Sequence, residues 1–585
     1  MSTSRPVPIG CIGGRDIRRL VLLGLLGAMA ACTPITPPVQ QVQTAGPAAS
    51  VRGQAFVAAA HPLAAEAGLN VLRKGGSAVD AAIAIQAMLT LVEPQSSGLG
   101  GGAFMVHYAA ATGAVTVYDG RETAPSAATP DMFLRADGTP LPFDIAVVSG
   151  RASGVPGVVS MLDLAHSKHG SLPWSQLFGD VIRTAEQGFT VTPRLERFVH
   201  GTSPQASAAD VVRYFRNESG GKIHAGEVLR NPAYAAFVRR LAAEGAEAMY
   251  AGETPRRIVA RVREGALPGS LTEADFSSYR PVVRAALCDG YRIYILCVPP
   301  PPSSGVALLQ LMAMVEHTDI GDRGPCDPLA WVKYAQASRL MYPDRDAYVG
   351  DVPDVPVRGL LDPAYVASRA ALIADRTGPP PAAGTPPEGL RKGVDTTHEV
   401  AGTSHFIIID DEGNAVSMTT TVESYFGSGR MVDGFFLNNQ MTDFSFVPEG
   451  PNAIAPGKRP RSSMVPTVIL ARDGSLVGAI GSPGGSAILA YVSKALIGVV
   501  DWDLPMAEAI SLPNLVARGD SINGEAGKFN SAMLTAMGER GVVVRPGSGE
   551  DSGLHGVMIR NGRFDGGADP RRDGVARSII VEGIK

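Results

Sequence analysis

The chain has 585 residues, 45% of them hydrophobic and 18% charged, with 68 Gly and 45 Pro. So many helix breakers exclude a coiled coil, a simple helical bundle and a disordered tail, and the length allows a large enzyme fold with an ample core. Lys and Arg number 52 against 56 Asp and Glu, a net charge of −4 with no long run of one sign, which argues against a nucleic-acid partner.

Arg15, Arg18 and Arg19 precede an apolar run from Leu20 to Ala31 that is too short to span a bilayer, so residues 1–31 are expected to be an export signal. It ends Met29-Ala30-Ala31-Cys32, which resembles the lipobox of bacterial lipoproteins. That resemblance implies lipidation of Cys32 and anchoring of a periplasmic protein to a membrane; an ordinary export signal is the alternative. Residues 32–52 are rich in Pro, Gln, Thr and Ala and read as a flexible tether.

Helical periodicity at Ala64–Leu72 and Ala78–Leu91, split by Gly75-Gly76, predicts two packed helices. A glycine-rich stretch, Pro94–Gly102, leads into a predicted hairpin of Ala103–His107 and Ala114–Tyr118. Residues 150–270 read as mostly helical and 281–297 as strands. There Cys288 and Cys297 flank an Asp289-Gly290 turn and a β-rich run, which suits either a hairpin disulfide in an oxidising compartment or two buried thiols. Helices follow at Leu308–Val315 and Leu329–Met341, then a surface linker at Thr377–Gly389. Beyond it Ser404–Asp410, Ala415–Val422, Thr467–Leu470 and Leu476–Ile480 predict a mostly antiparallel sheet covered by helices such as Ala487–Val499. With no Cys-x-x-Cys or His-x-x-x-His and ten scattered His, no metal site is expected.

Thr403-Ser404-His405-Phe406, Thr419-Thr420-Thr421 and Phe426-Gly427-Ser428-Gly429 resemble the γ-glutamyltranspeptidases in order and spacing. Leu437–Phe444, Arg459–Met464 and Gly481–Ser486 follow in the same order, and Gly98–Gly102, Arg121–Pro125, Gly154–Gly157 and Pro299–Gly305 match upstream. The resemblance implies an α+β N-terminal-nucleophile hydrolase, a four-layer αββα sandwich whose precursor cuts itself and exposes a catalytic threonine. A free α-amine on that threonine, with a reference pKa of about 7.7 to 8.0, is a base already within reach of a weakly nucleophilic hydroxyl. No cofactor is implied.

Thr396-Thr397-His398 looks like the family's usual start, but counting back from Gly413-Asn414 places that start at Thr403, and only Thr403 is followed by an apolar strand. Cleavage is therefore expected between Gly402 and Thr403, dividing residues 53–402, the large subunit, from 403–585, the small catalytic subunit of a heterodimer. Carried over by position, Gly484 and Gly485 form the oxyanion hole, Thr421 supports the nucleophile, and Arg121 with Ser462 and Ser463 holds the substrate carboxylate. Glu423, Gln440 and Asp443 receive the substrate ammonium; many members carry Asn in place of Glu423. The segment Phe444–Arg461 is too short for the lid loop many members insert there, implying an open cleft.

The expected activity is cleavage of glutathione or a related γ-glutamyl amide, with transfer to an amino acid, a dipeptide or water. Two alternatives are a glutaryl cephalosporin acylase of the same fold, against which Glu423 and Asp443 argue, and a non-catalytic binding protein, against which the intact residue set argues.

Overall fold

In the computed structural model the described residues are 51–390, 393, 395, 397, 399, 402–547 and 552–581. The expected export signal, Cys32, nearly all of the tether, and Thr396 and His398 lie outside them.

Two antiparallel sheets stack face to face. Their strands, in chain order, are β1 (Gln54–Ala59), β2 (Gly102–Ala109), β3 (Ala114–Gly120), β4 (Val282–Ala285), β5 (Leu287–Tyr291), β6 (Tyr294–Val298), β7 (Gly402–Ile409), β8 (Ala415–Glu423), β9 (Thr467–Ala471), β10 (Leu476–Gly481), β11 (His555–Arg560), β12 (Arg563–Ala568) and β13 (Val575–Ile580). The first sheet runs β13-β1-β7-β8-β2-β3-β4 and the second β12-β11-β10-β9-β6-β5. Helices α1 (Pro62–Arg73) and α2 (Ala78–Val92) cover the first; α3 (Gly305–Glu316), α4 (Pro328–Tyr348) and α5 (Ile488–Val500) cover the second.

The layering explains the apolar run in β7. Phe406 and Ile408 pack towards α1 and α2, whereas Ile407 and Ile409 point into the core shared with the second sheet. A strand covered on both faces has no polar side, so the alternation expected of a half-exposed strand is missing. The turn after β7 is fixed by Asp410, whose carboxylate accepts from the N–H groups of Ala78 (3.0 Å) and Asn414 (2.8 Å). That seats the β7–β8 hairpin on the start of α2.

The expected bond of cleavage lies at the head of β7, and strands from both sides of it interleave. The first sheet takes β1–β4 from before Thr403 and β7, β8 and β13 from after it; the second takes β5 and β6 from before and β9–β12 from after. Two chains separated at this bond would share one core, held by strand pairing and apolar burial.

Two features differ from the sequence reading. Helix α4 continues through Pro343 to Tyr348 instead of stopping near Met341. Proline removes one backbone bond, but the next turn is pinned: Asp344 accepts from Gln310 Nε2 at 2.9 Å and Arg345 Nε donates to Ser304 Oγ at 2.8 Å. Cys288 and Cys297 sit directly opposite each other on β5 and β6, Cα to Cα 4.1 Å, and form a disulfide.

Candidate active site

The site is built at the end of the β7–β8 hairpin. Thr403 pairs with Thr421 across the ladder, and a register shift between Thr421 and Glu423 sets Glu423 opposite Gly402. Thr403 Oγ1 lies 3.2 Å from Thr421 Oγ1; Thr421 in turn donates to the Gly402 carbonyl at 2.6 Å and accepts from Glu423 N at 2.8 Å. The hydroxyl of Thr403 is thus linked through Thr421 to the carbonyl oxygen of Gly402, the residue before it. Arg572 Nη1 donates to the Thr403 carbonyl at 2.9 Å and fixes the other side of the residue.

Glycines make this approach possible. A Cβ on Gly402 would meet Glu423 O at 2.2 Å, and one on Gly101 would meet Thr421 O at 1.9 Å. The first explains why glycine stands on the acyl side of the bond, and the second why the Gly98–Gly102 stretch is glycine-rich. Gly484 (φ 136°) and Gly485 (φ 54°) adopt backbone angles that suit glycine, and Gly485 opens the short 3₁₀ turn that runs into α5. Gly485 and Ile488 line the cavity beside Thr403 with their backbone at a helix start, where N–H groups favour an anion.

That cavity is also lined by Arg121, Glu399, Thr421, Glu423, Gln440, Asp443, Ser462 and Ser463, so all six expected substrate-binding residues converge. Arg121, fully buried, donates to Asp443 Oδ2 (2.6 Å), Glu122 Oε2 (3.2 Å) and the Arg461 carbonyl (2.9 Å). The Ser463 hydroxyl accepts from Arg345 Nη2 at 2.6 Å and donates to Glu399, while Ser462 Oγ accepts from Met464 N at 3.1 Å. Asp443 also accepts from Gln440 Nε2, and Glu423 accepts from Ser424 Oγ at 2.6 Å and from Asn439 Nδ2. Glu423 holds φ 79°, unusual for a residue with a side chain, so the bulge that sets it beside Gly402 is strained.

Burial dominates the electrostatics. It raises the Asp443 carboxyl to about 6 despite Arg121, and Glu122 to about 7. Glu399 is held well below the carboxylate range by Arg345, Arg461 and Arg518, which overcome its burial. His405, whose Nδ1 bonds Thr419 Oγ1 at 2.9 Å, is kept neutral by burial and serves the core.

Sequence reasoning missed Arg345, Arg461, Glu399 and Arg572 in this site. It also read the histidines as scattered, whereas Glu196, His200 and His224 bring three donor atoms within 4.8 Å of one another, largely exposed.

Residues 64–579 match the family model for gamma-glutamyltranspeptidase. The chain is 35% identical over 545 residues to the glutathione hydrolase proenzyme of Bacillus subtilis (strain 168), covering 90% of this chain and 92% of that protein. It is 32% identical over 544 residues to the acylase ACY 1 proenzyme of Pseudomonas sp. (strain V22), covering 91% and 94%. The crystal structure of cephalosporin acylase from Bacillus halodurans superposes with a TM-score of 0.78 at 25% identity, covering 93% of this chain and 99% of that one. An αββα core, a threonine at the head of a buried central strand and a match across most of its length agree: the chain belongs to the γ-glutamyltranspeptidase family of N-terminal-nucleophile hydrolases.

Proposed function

We propose that this chain is an exported γ-glutamyl hydrolase and transferase that matures by cutting itself between Gly402 and Thr403. The activity is supported by family membership and by relatives named glutathione hydrolase. The observation that carries the self-cut is the hydrogen-bonded link from Thr403 Oγ1 through Thr421 Oγ1 to the Gly402 carbonyl. In this reading Thr403 Oγ attacks the Gly402 carbonyl carbon, the amide C–N bond breaks, and the hydroxyl proton passes to the leaving nitrogen, which becomes the free α-amine. The resulting ester takes up water, giving a Gly402 carboxylate and an N-terminal Thr403.

In turnover that amine takes the Thr403 hydroxyl proton as the oxygen attacks the γ-carbonyl of the donor. The backbone N–H groups of Gly484 and Gly485 stabilise the oxyanion, the leaving amine takes the proton, and water or an acceptor amine resolves the ester. Thr421 and Arg572 hold the nucleophile in place. Arg121 and Asp443, already an ion pair, receive the zwitterionic head of the donor by exchange of partners, with Glu423 and Gln440 beside it. The lipobox-like end at Cys32 supports export to the periplasmic face of a membrane.

The reading is tested by intact-mass analysis with N-terminal sequencing, in which two chains are expected, the smaller beginning Thr403-Ser404-His405. A start at Thr396 or a chain that stays whole overturns it. Relatives named acylase and the cephalosporin acylase structure favour a second substrate, a glutaryl amide; turnover of γ-glutamyl anilide above glutaryl anilide is expected, because the carboxylates of Asp443 and Glu423 attract an ammonium that a glutaryl group lacks.

Two further outcomes follow from the same site. Thr421→Val keeps the side-chain shape but removes the donor to the Gly402 carbonyl, so the self-cut should slow about 100-fold or more, read from the time course of the two chains. Asp443 accepts an ammonium only when ionised, so kcat/KM for a γ-glutamyl donor should rise with pH through a step at or below about 6. In Asp443→Asn the step should vanish.

A further inference from the structure

A short helix carries two metal-ligating side chains one turn apart. It is Pro193–Val199, capped at its end by His200, and residues four apart on a helix share a face, so Glu196 stands beside the His200 ring. Residues 215–227 close over that face and bring in His224. Their course is set by backbone bonds: Ile223 N donates to the Phe215 carbonyl at 2.8 Å, Gly226 N to the Val191 carbonyl at 2.9 Å and Val191 N to the Glu227 carbonyl at 2.9 Å. Phe215 and Ile223 are buried and anchor the segment in the core. Glu196, His200 and His224 thereby bring one donor atom each within 4.8 Å of one another.

Hydrogen bonds already orient both rings. His200 Nε2 lies 3.1 Å from the Ile223 carbonyl; a carbonyl only accepts, so Nε2 carries the proton and Nδ1 of the neutral ring keeps the lone pair. Metal-bound imidazoles are commonly held in this way, by a backbone carbonyl on the nitrogen that does not touch the ion. His224 Nδ1 lies 2.8 Å from Glu196 Oε1, an imidazole and a carboxylate that an ion can bridge in place of the proton. The two rings lie close to parallel, 32° apart with centroids at 4.9 Å. Bonds of about 2.0–2.1 Å to a tetrahedral ion put its donor atoms about 3.3 Å apart, inside the span from 2.8 to 4.8 Å found here. The side chains of His224 and Glu196 are 59% and 31% exposed, so they can close that span without disturbing the core.

We propose that Glu196, His200 and His224 bind a divalent first-row transition-metal ion, with water in its remaining positions, and that the ion fastens residues 215–227 to the helix. Two imidazoles and one carboxylate suit Zn²⁺, Ni²⁺ or Cu²⁺, not Mg²⁺ or Ca²⁺, which take oxygen ligands. The fastened helix also holds Arg194 to Glu93 at 3.0 Å and lays Phe198 against Tyr425, ring centroids 4.1 Å apart, two residues past Glu423. None of the three ligands lines the cavity beside Thr403, so the site can be tested whatever the substrate.

Zn²⁺ is the probe. Untagged protein, stripped with EDTA and dialysed, is titrated with ZnCl₂ by calorimetry and melted with and without the ion. One Zn²⁺ per chain should bind with a micromolar Kd or tighter, and at about a hundredfold excess over that Kd the melting temperature should rise by about 2 °C. His200→Ala, His224→Ala and Glu196→Gln should each weaken binding by more than the factor of about ten that loss of an outer partner costs, and should abolish the rise. His317→Ala, at an exposed histidine elsewhere on the chain, should change neither. A wild type that binds no Zn²⁺, binding undiminished in His200→Ala/His224→Ala, or an equal melting shift with Ca²⁺ overturns the site. Zn²⁺ bound there without a rise in melting temperature overturns the fastening role. Cu²⁺ gives a readout that needs no variant: its electron paramagnetic resonance spectrum on the wild type should show coupling to imidazole nitrogen, and a spectrum with oxygen ligands alone overturns the assignment.

Discussion

Thr403→Ala is expected to accumulate as one uncut chain and to lose turnover by about four orders of magnitude or more, the usual result of removing a covalent nucleophile. The substitution deletes one oxygen, so both losses share a cause: no hydroxyl attacks the Gly402 carbonyl, and no acyl-enzyme forms on the donor. The fold should persist. Thr403 Oγ1 makes a long bond of 3.2 Å to Thr421, whereas the backbone is held by the β7–β8 ladder and by Arg572. Intact mass, a thermal melt and anilide turnover on one preparation check all three statements. Thr403→Ser keeps an oxygen and should still cut, more slowly, because it lacks the methyl group that restricts χ1. A cut Thr403→Ala chain, or an active uncut one, would remove Thr403 from the chemistry and return Thr396 to consideration.

Sequence alone carried the hairpin that bears the nucleophile, because the apolar run Phe406–Ile409, the Asp410–Asn414 turn and the Thr-rich partner strand are local signals. It also carried the helix pair over the first sheet, since Ala-rich periodicity survives in α1 and α2. Contacts between distant segments were less legible. Arg121 meets Asp443 across 322 residues of chain, and the reading assigned the two to opposite ends of a substrate without noticing that they neutralise each other. Arg345 was hidden by Pro343, which suggested that α4 had already ended; buried bonds to Asp344 and Arg345 outweigh the missing backbone bond. Glu399 looked like ordinary polar chain before a cleavage point, and its importance depends on arginines at 345 and 461 that no spacing rule connects to it.

The Arg121 cluster supports the second large expectation, a stability loss whose size depends on pH. Arg121→Met in the uncut Thr403→Ala background removes the cation between two buried carboxylates. Breaking such an ion pair from one side costs about 3–5 kcal/mol, and here Glu122 and Asp443 both lose the charge that offsets their burial. The sign follows from the protonation states. Both carboxyls titrate above their ordinary range even with Arg121 present, Asp443 near 6 and Glu122 near 7, and without it they rise further. A carboxyl whose folded pKa is raised takes up a proton as the pH falls through that value, and the protonated form tolerates burial; the penalty is therefore largest above pH 7 and relieved below about pH 6. Thermal melts should show the greatest gap between Arg121→Met and its parent at pH 8 and a much smaller gap at pH 5. Adding Asp443→Asn should recover part of the loss at pH 8 and little at pH 5, because the amide removes a charge that is already protonated in acid. A gap independent of pH would mean that the loss comes from packing around the missing guanidinium, not from the two carboxylates it separates.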